Sequence, residues 1–244
     1  MDDTQKLIKT LIESESDKQL GIDVIVEYLS DIDLRVKDIE QKCGEKLNSV
    51  YDTDNVTGTF VPAINGNPYY ILIKENREHM LYVMTAFHEY RHLIDYVIFL
   101  NSIFGNNIES MKNSPLNVTF NVYSEYAATM FGVQKYIQIV KIDDMDQKDL
   151  AKMILQNARS VYKNFQGIKT RYQLLVHSMQ YIGNVVACGK FIDDIDIQRL
   201  ISEMELSDEL YPVFTHAFMF ENKYEWYSDM DKIMRIFVNG GDVQ

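Results

Sequence analysis

The stretch Thr85-Ala86-Phe87-His88-Glu89-Tyr90-Arg91-His92 reads His-Glu-x-x-His inside a long apolar run. On a helix, His88 and His92 leave the same face one turn apart. Two neutral imidazoles at that spacing can share one Zn²⁺ at roughly 2.0–2.1 Å each. Glu89 lies about 100° round the helix from His88, beside the metal position rather than on it. A carboxylate there can accept a proton from an attacking water. One helical turn therefore supplies two ligands and a general base.

The surroundings favour a site over a chance match. Met80, Val83, Met84 and Phe87 precede the motif, and Leu93, Ile94, Val97, Ile98 and Leu100 follow it. No Gly or Pro occurs from Arg77 to Ile103. Apolar residues on nearly every side predict a buried helix. Two histidines, a glutamate and Arg91 in such a helix need partners, since an unpaired buried polar group costs several kcal/mol. A metal is the simplest partner for the histidines.

Composition sets the outer bounds. The chain has 244 residues, of which 46% are hydrophobic and 12% aromatic, enough to bury a substantial core. Its net charge of −12 opposes a phosphate backbone, and no basic patch offsets it, so direct nucleic-acid binding is not expected. The first residues, Met1-Asp2-Asp3-Thr4-Gln5, lack a signal-peptide core. The longest apolar run is broken by His88, Glu89, Arg91, His92 and Asp95, so no membrane span is expected. Cys43 and Cys188 lie far apart and read as free buried thiols. Together these features predict a soluble cytoplasmic protein.

Residues 4 to 48 read as helical, with Leu7, Ile8, Leu11 and Ile12 on one face and a second segment opening at Ile22 after Gly21. The texture then changes. Thr57–Val61 and Tyr69–Ile73 are β-rich, and Asn65-Gly66 between them signals a hairpin turn. The motif helix runs to about Phe104, and Gly105-Asn106-Asn107 ends it. A second long helix spans about Tyr123 to Val140. Further helices are expected from Leu150 to Phe165 and from Arg171 to Cys188, with Asn76 a candidate cap for the motif helix and Trp226 and Met234 as later core.

A catalytic zinc needs a third protein ligand. The metzincin spacing is excluded, because its third histidine position is Ile98 and Asp95 stands where a glycine is required. Glu125 is the best candidate. It stands in Ser124-Glu125-Tyr126-Ala127-Ala128-Thr129-Met130-Phe131-Gly132, where small residues would let its helix pack close to the motif helix. A glutamate exposed near a helix start is the plainer reading of the same residue. Glu109 is nearer in sequence but sits in a Gly/Asn-rich loop.

His88-Glu89-x-x-His92 followed by Glu125-x-x-Ala128-x-x-Phe131-Gly132 resembles the ImmA/IrrE-type metallopeptidases, small gluzincins with a Glu-x-x-Ala-x-x-Phe-Ala second motif. The resemblance covers roughly residues 55 to 140. Arg91 replaces the glycine usual before the second histidine, and Gly132 replaces the last alanine. The resemblance implies that His88, His92 and Glu125 are zinc ligands and Glu89 the general base. It also implies an α+β, predominantly helical, zincin-like fold with a small antiparallel sheet beside the motif helix. The organisation expected is an N-terminal helical region (1–50), a zincin-like core (51–142) and a C-terminal helical region (143–244) packed on that core.

The expected activity is zinc-dependent hydrolysis of a peptide bond in a protein or peptide partner; some members of that family act on phage or mobile-element repressors. An oxyanion partner is also expected. His177, on a long helix that could return to the cleft, ranks above His216 for that role. The alternative is a catalytically inactive, metal-binding interaction protein with a vestigial zincin site. A ferritin-like di-iron centre is excluded, since no second Glu-x-x-His occurs.

Overall fold

The computed structural model describes residues 1–46, 57–75, 78–114, 116–142, 145–164, 171–193, 195–196, 199–200 and 204. Its element order is α1 (Asp3–Leu20), β1 (Val24–Leu29), α2 (Ile32–Cys43), β2 (Gly58–Val61), β3 (Tyr69–Lys74), a 3-10 turn (Glu78–Met80), α3 (Leu81–Phe104), α4 (Ile108–Lys112), α5 (Leu116–Ile139), α6 (Gln147–Asn164) and α7 (Arg171–Gly189). The class is α+β and mostly helical. Among the described residues no helix is long and apolar enough to cross a membrane. Asn76, His216, Trp226 and Met234 lie outside the described residues.

The chain falls into two compact units, Met1–Val97 with Phe131–Asp146, and Ile98–Met130 with Gln147 onward. Helices α3 and α5 are each continuous across that division. The first unit holds a three-stranded sheet of order β1-β3-β2. β2 and β3 form the expected antiparallel hairpin, with Gly58 opposite Ile73 and Val61 opposite Tyr70. Asn65 and Gly66, both at positive φ, make its turn, closed by Asn67 N–H donating to the Ile64 carbonyl at 3.1 Å. Gly, Asn and Asp accept that backbone most cheaply, and the turn sits inside the longer connection from Val61 to Tyr69.

Two expectations are corrected here. Residues 24–29 are a strand, not a helix, and β1 pairs parallel with β3, so the sheet is mixed rather than antiparallel. The β-branched run Val24-Ile25-Val26 explains the first point, because such side chains lose rotamer freedom in a helix and pack well on a pleat. Gly21, left-handed at φ 63°, stops α1 just before it. The parallel pairing follows from α2 crossing between β1 and β3.

Each face of the sheet has its own helix. Val61, Tyr70 and Leu72 pack with Ile32, Val36 and Ile39 of α2. The opposite face meets α3: the Tyr69 ring lies 6.5 Å from Tyr96, Phe60 lies 5.3 Å from Tyr96, and Tyr28 stands edge-on to Tyr82 at 5.8 Å. Ile71, Leu72 and Ile73 are fully buried between them. Each such side chain contributes about 1.5–3 kcal/mol relative to exposure.

The outer edge of β1 is closed by side chains. Glu13 Oε1 accepts the Val26 N–H at 3.0 Å, and Lys9 Nζ donates to the Val26 carbonyl at 2.7 Å. Lys9 and Glu13 also pair with each other at 2.7 Å. One turn of α1 thus stands in for a neighbouring strand, which removes a template for edge-to-edge association.

In the second unit, α7 packs against α6 and against the first half of α5. Tyr162 of α6 stacks on Tyr181 of α7 at 4.9 Å. The Phe120 ring of α5 stacks on Phe99, in the second half of α3, at 4.2 Å. Gly183 makes the closest backbone approach: a Cβ there would lie 2.8 Å from the Tyr126 carbonyl oxygen and 2.9 Å from Thr129 Cβ.

Candidate metal centre

α3 delivers the motif as its apolar pattern predicts. Val83, Ala86, Phe87, Tyr90 and Leu93 are buried, and His88 and His92 are partly buried on one face. Their Nε2 atoms are 2.9 Å apart. Tetrahedral ligands with bonds of ~2.0–2.1 Å stand roughly 3.3 Å apart, so the two imidazoles are close to the spacing a shared cation needs. Burial, and secondly the Arg91 charge, push His92 down to about 4. The imidazole is therefore neutral near pH 7, the form that offers a lone pair to a metal.

Arg91 has a partner of its own. Its Nε donates to Asp95 Oδ2 at 2.9 Å, one turn along the same helix, and Asp95 is fully buried. The charge that departs from the resembled family's glycine is thus matched by a carboxylate within α3.

Glu89 is buried on the face of α3 that meets β2. Gly58 makes room for it. A Cβ on Gly58 would lie 2.3 Å from Thr85 Cγ2 and 3.1 Å from Glu89 Cγ. Any side chain at that strand position would push the motif helix away or displace the Glu89 carboxylate.

α5 approaches α3 through Gly132. A Cβ on Gly132 would lie 2.7 Å from the Met84 carbonyl oxygen. Glu125 sits about two turns earlier on the same helix, hence on nearly the same face. His88, His92 and Glu125 each offer a ligand atom, and the three atoms lie within 4.8 Å of one another. No other group of three metal-binding side chains occurs among the described residues. The donor set, two imidazoles and a carboxylate, suits a zinc site that keeps one position for water or substrate. Glu109 is exposed in the first turn of α4 and takes no part.

Two features escaped the sequence reading. One is Gly58, which read only as strand. The other is Gln180 on α7, whose Nε2 donates to Glu125 Oε2 at 2.8 Å. His177, the residue favoured from sequence, lies one turn before Gln180 on the same helix, is partly buried, and is not among the three converging ligands. The available signal was a polar pair, His177 and Gln180, at helical spacing within the apolar run Leu174–Cys188.

Comparison with known proteins found no matching family model, no matching curated protein and no matching solved structure.

Proposed function

We propose that this chain is a zinc-dependent peptidase of the gluzincin type, acting on an extended segment of a protein partner. The observation that carries the reading is the approach of His88, His92 and Glu125 within 4.8 Å, with Glu89 buried beside them. His88, His92 and Glu125 would hold the ion. When bound, Zn²⁺ supplies Lewis acidity at a peptide carbonyl and lowers the pKa of water toward ~7. Glu89 takes the proton from the attacking water on a carboxylate oxygen and then passes it to the leaving amine as the C–N bond breaks.

The sheet supports a site for the substrate backbone. Lys74 N–H donates to the Thr57 carbonyl, and the ladder alternates from there, so the N–H and C=O groups of Gly58 and Phe60 point away from β3. Among the described residues no strand pairs with that edge. With β1 closed by Lys9 and Glu13, β2 is the edge that can accept an extended peptide, and it runs past Glu89 at Gly58.

The test is hydrolysis of unstructured protein or a mixed peptide library by zinc-loaded protein. Cleavage that stops with a chelator and returns with zinc is the expected result. Zinc uptake with no cleavage of any peptide would instead favour a metal-binding interaction protein.

A further inference from the structure

We infer that Gln180 is a positioning residue of the metal centre, acting through Glu125, so that α7 completes the site. The inference rests on the metal-site reading above. Gln180 Nε2 donates to Glu125 Oε2 at 2.8 Å, a bond to a carboxylate from a neutral amide. Such a bond is stronger than one between two neutral groups. The reach of Gln180 is set by backbone packing rather than by chance. Gly183, one turn further along α7, brings that helix against α5, where a Cβ would lie 2.8 Å from the Tyr126 carbonyl oxygen and 3.1 Å from Met130 N. Asn184 Nδ2 donates to the Gln180 carbonyl at 2.9 Å within the same turn.

A glutamate side chain has three rotatable bonds, and a metal ligand must keep them in one arrangement. A donor fixed on a neighbouring helix supplies that constraint. It also decides which carboxylate oxygen carries the extra bond and orients the other. Hydrogen bonds to ligating carboxylates generally act this way, and their loss costs about 10–100-fold in metal affinity. Phe191 and Ile192 N–H groups donate to the Cys188 carbonyl and end α7 well past this point, so Gln180 sits in the helix interior, not at a fraying end.

Gln180→Met keeps the length of the side chain and removes the donor. Zinc affinity is measured by competition with a chromophoric chelator, beside the visible spectrum of the Co²⁺-loaded protein and the thermal unfolding of the metal-free chain. Affinity should fall about 10–100-fold. The cobalt spectrum should change, and metal-free unfolding should stay near that of wild type. Gln180→Leu provides the same readout should the Met variant unfold early. A variant that folds, binds zinc as tightly as wild type and shows the same cobalt spectrum overturns the role of Gln180 while leaving the metal site intact. A wild-type chain that takes up no metal overturns the metal site itself, and this role with it.

Discussion

Gly132 of α5 rests on His88 of α3: a Cβ at Gly132 would lie 3.2 Å from both His88 Cβ and His88 N. The contact sets how closely the two long helices cross at the first histidine of the motif. Glu125 is carried by the same helix, so the spacing of its carboxylate from the histidines depends on this glycine. Gly132→Ala gains about 1 kcal/mol of helix propensity. It loses about 1–3 kcal/mol to overpacking against the Met84 carbonyl oxygen, for a net loss of roughly 1 kcal/mol. Gly132→Val gains less and crowds more, and should lose more. Urea unfolding and zinc affinity, measured together, should both fall in the order Gly, Ala, Val. Unchanged values in both variants would show that the helices do not meet here.

Glu89→Gln preserves the shape of a buried side chain that Gly58 accommodates. It cannot accept the proton. The variant should hold zinc as wild type does and lose about 10²–10⁴-fold in hydrolysis rate. Retention of wild-type rate would remove Glu89 from the mechanism.

Glu13→Ala takes the acceptor from the Val26 N–H and breaks the Lys9 pair. A fully buried orphan donor would cost ~1–3 kcal/mol; here water can reach the edge, so about 1 kcal/mol is expected. The larger effect should be on association, since an opened strand edge pairs with its like. Sedimentation velocity should show concentration-dependent dimers for Glu13→Ala. Glu13→Gln keeps the acceptor and loses a half-exposed ion pair worth little. It should remain as wild type, and equal behaviour of the two variants would refute the edge-closing role.

Much of this was legible in the residues, and the parts that were not have physical causes. Long helices announced themselves by apolar content: α3 ends at Phe104 and α7 starts at Arg171, as read from sequence. The hairpin was legible because Asn65-Gly66 has few other uses. β1 was not, since both of its faces are covered. Val24 and Val26 are buried on one face, and Ile25 and Leu29 pack toward α2 on the other, so the apolar residues do not alternate with polar ones along it. The closure of its edge depends on Lys9 and Glu13 of α1, whose i,i+4 spacing in the sequence says nothing of a strand beside them. At the site, His88, Glu89 and His92 were legible because one helical turn fixes their relation. Glu125 needed a second helix, and small residues at its packing face pointed to it. Gln180 needed a third: its spacing from His177 marks a polar pair on that helix but does not say which carboxylate it meets.

The approach of Glu125 to His88 and His92 is the claim on which the rest depends, and zinc binding by Glu125→Ala beside Glu109→Ala measures it most directly. Wild-type protein, prepared without chelator or reloaded, should hold about one Zn²⁺ per chain, as a mononuclear His/His/Glu site does. Glu125→Ala should fold and bind zinc far more weakly, because two imidazoles alone make a poor site. Glu109→Ala, altered at an exposed position on α4, should bind as wild type. A wild-type chain that takes up no zinc after reloading would contradict the account, as would a Glu125→Ala variant that binds zinc with wild-type affinity.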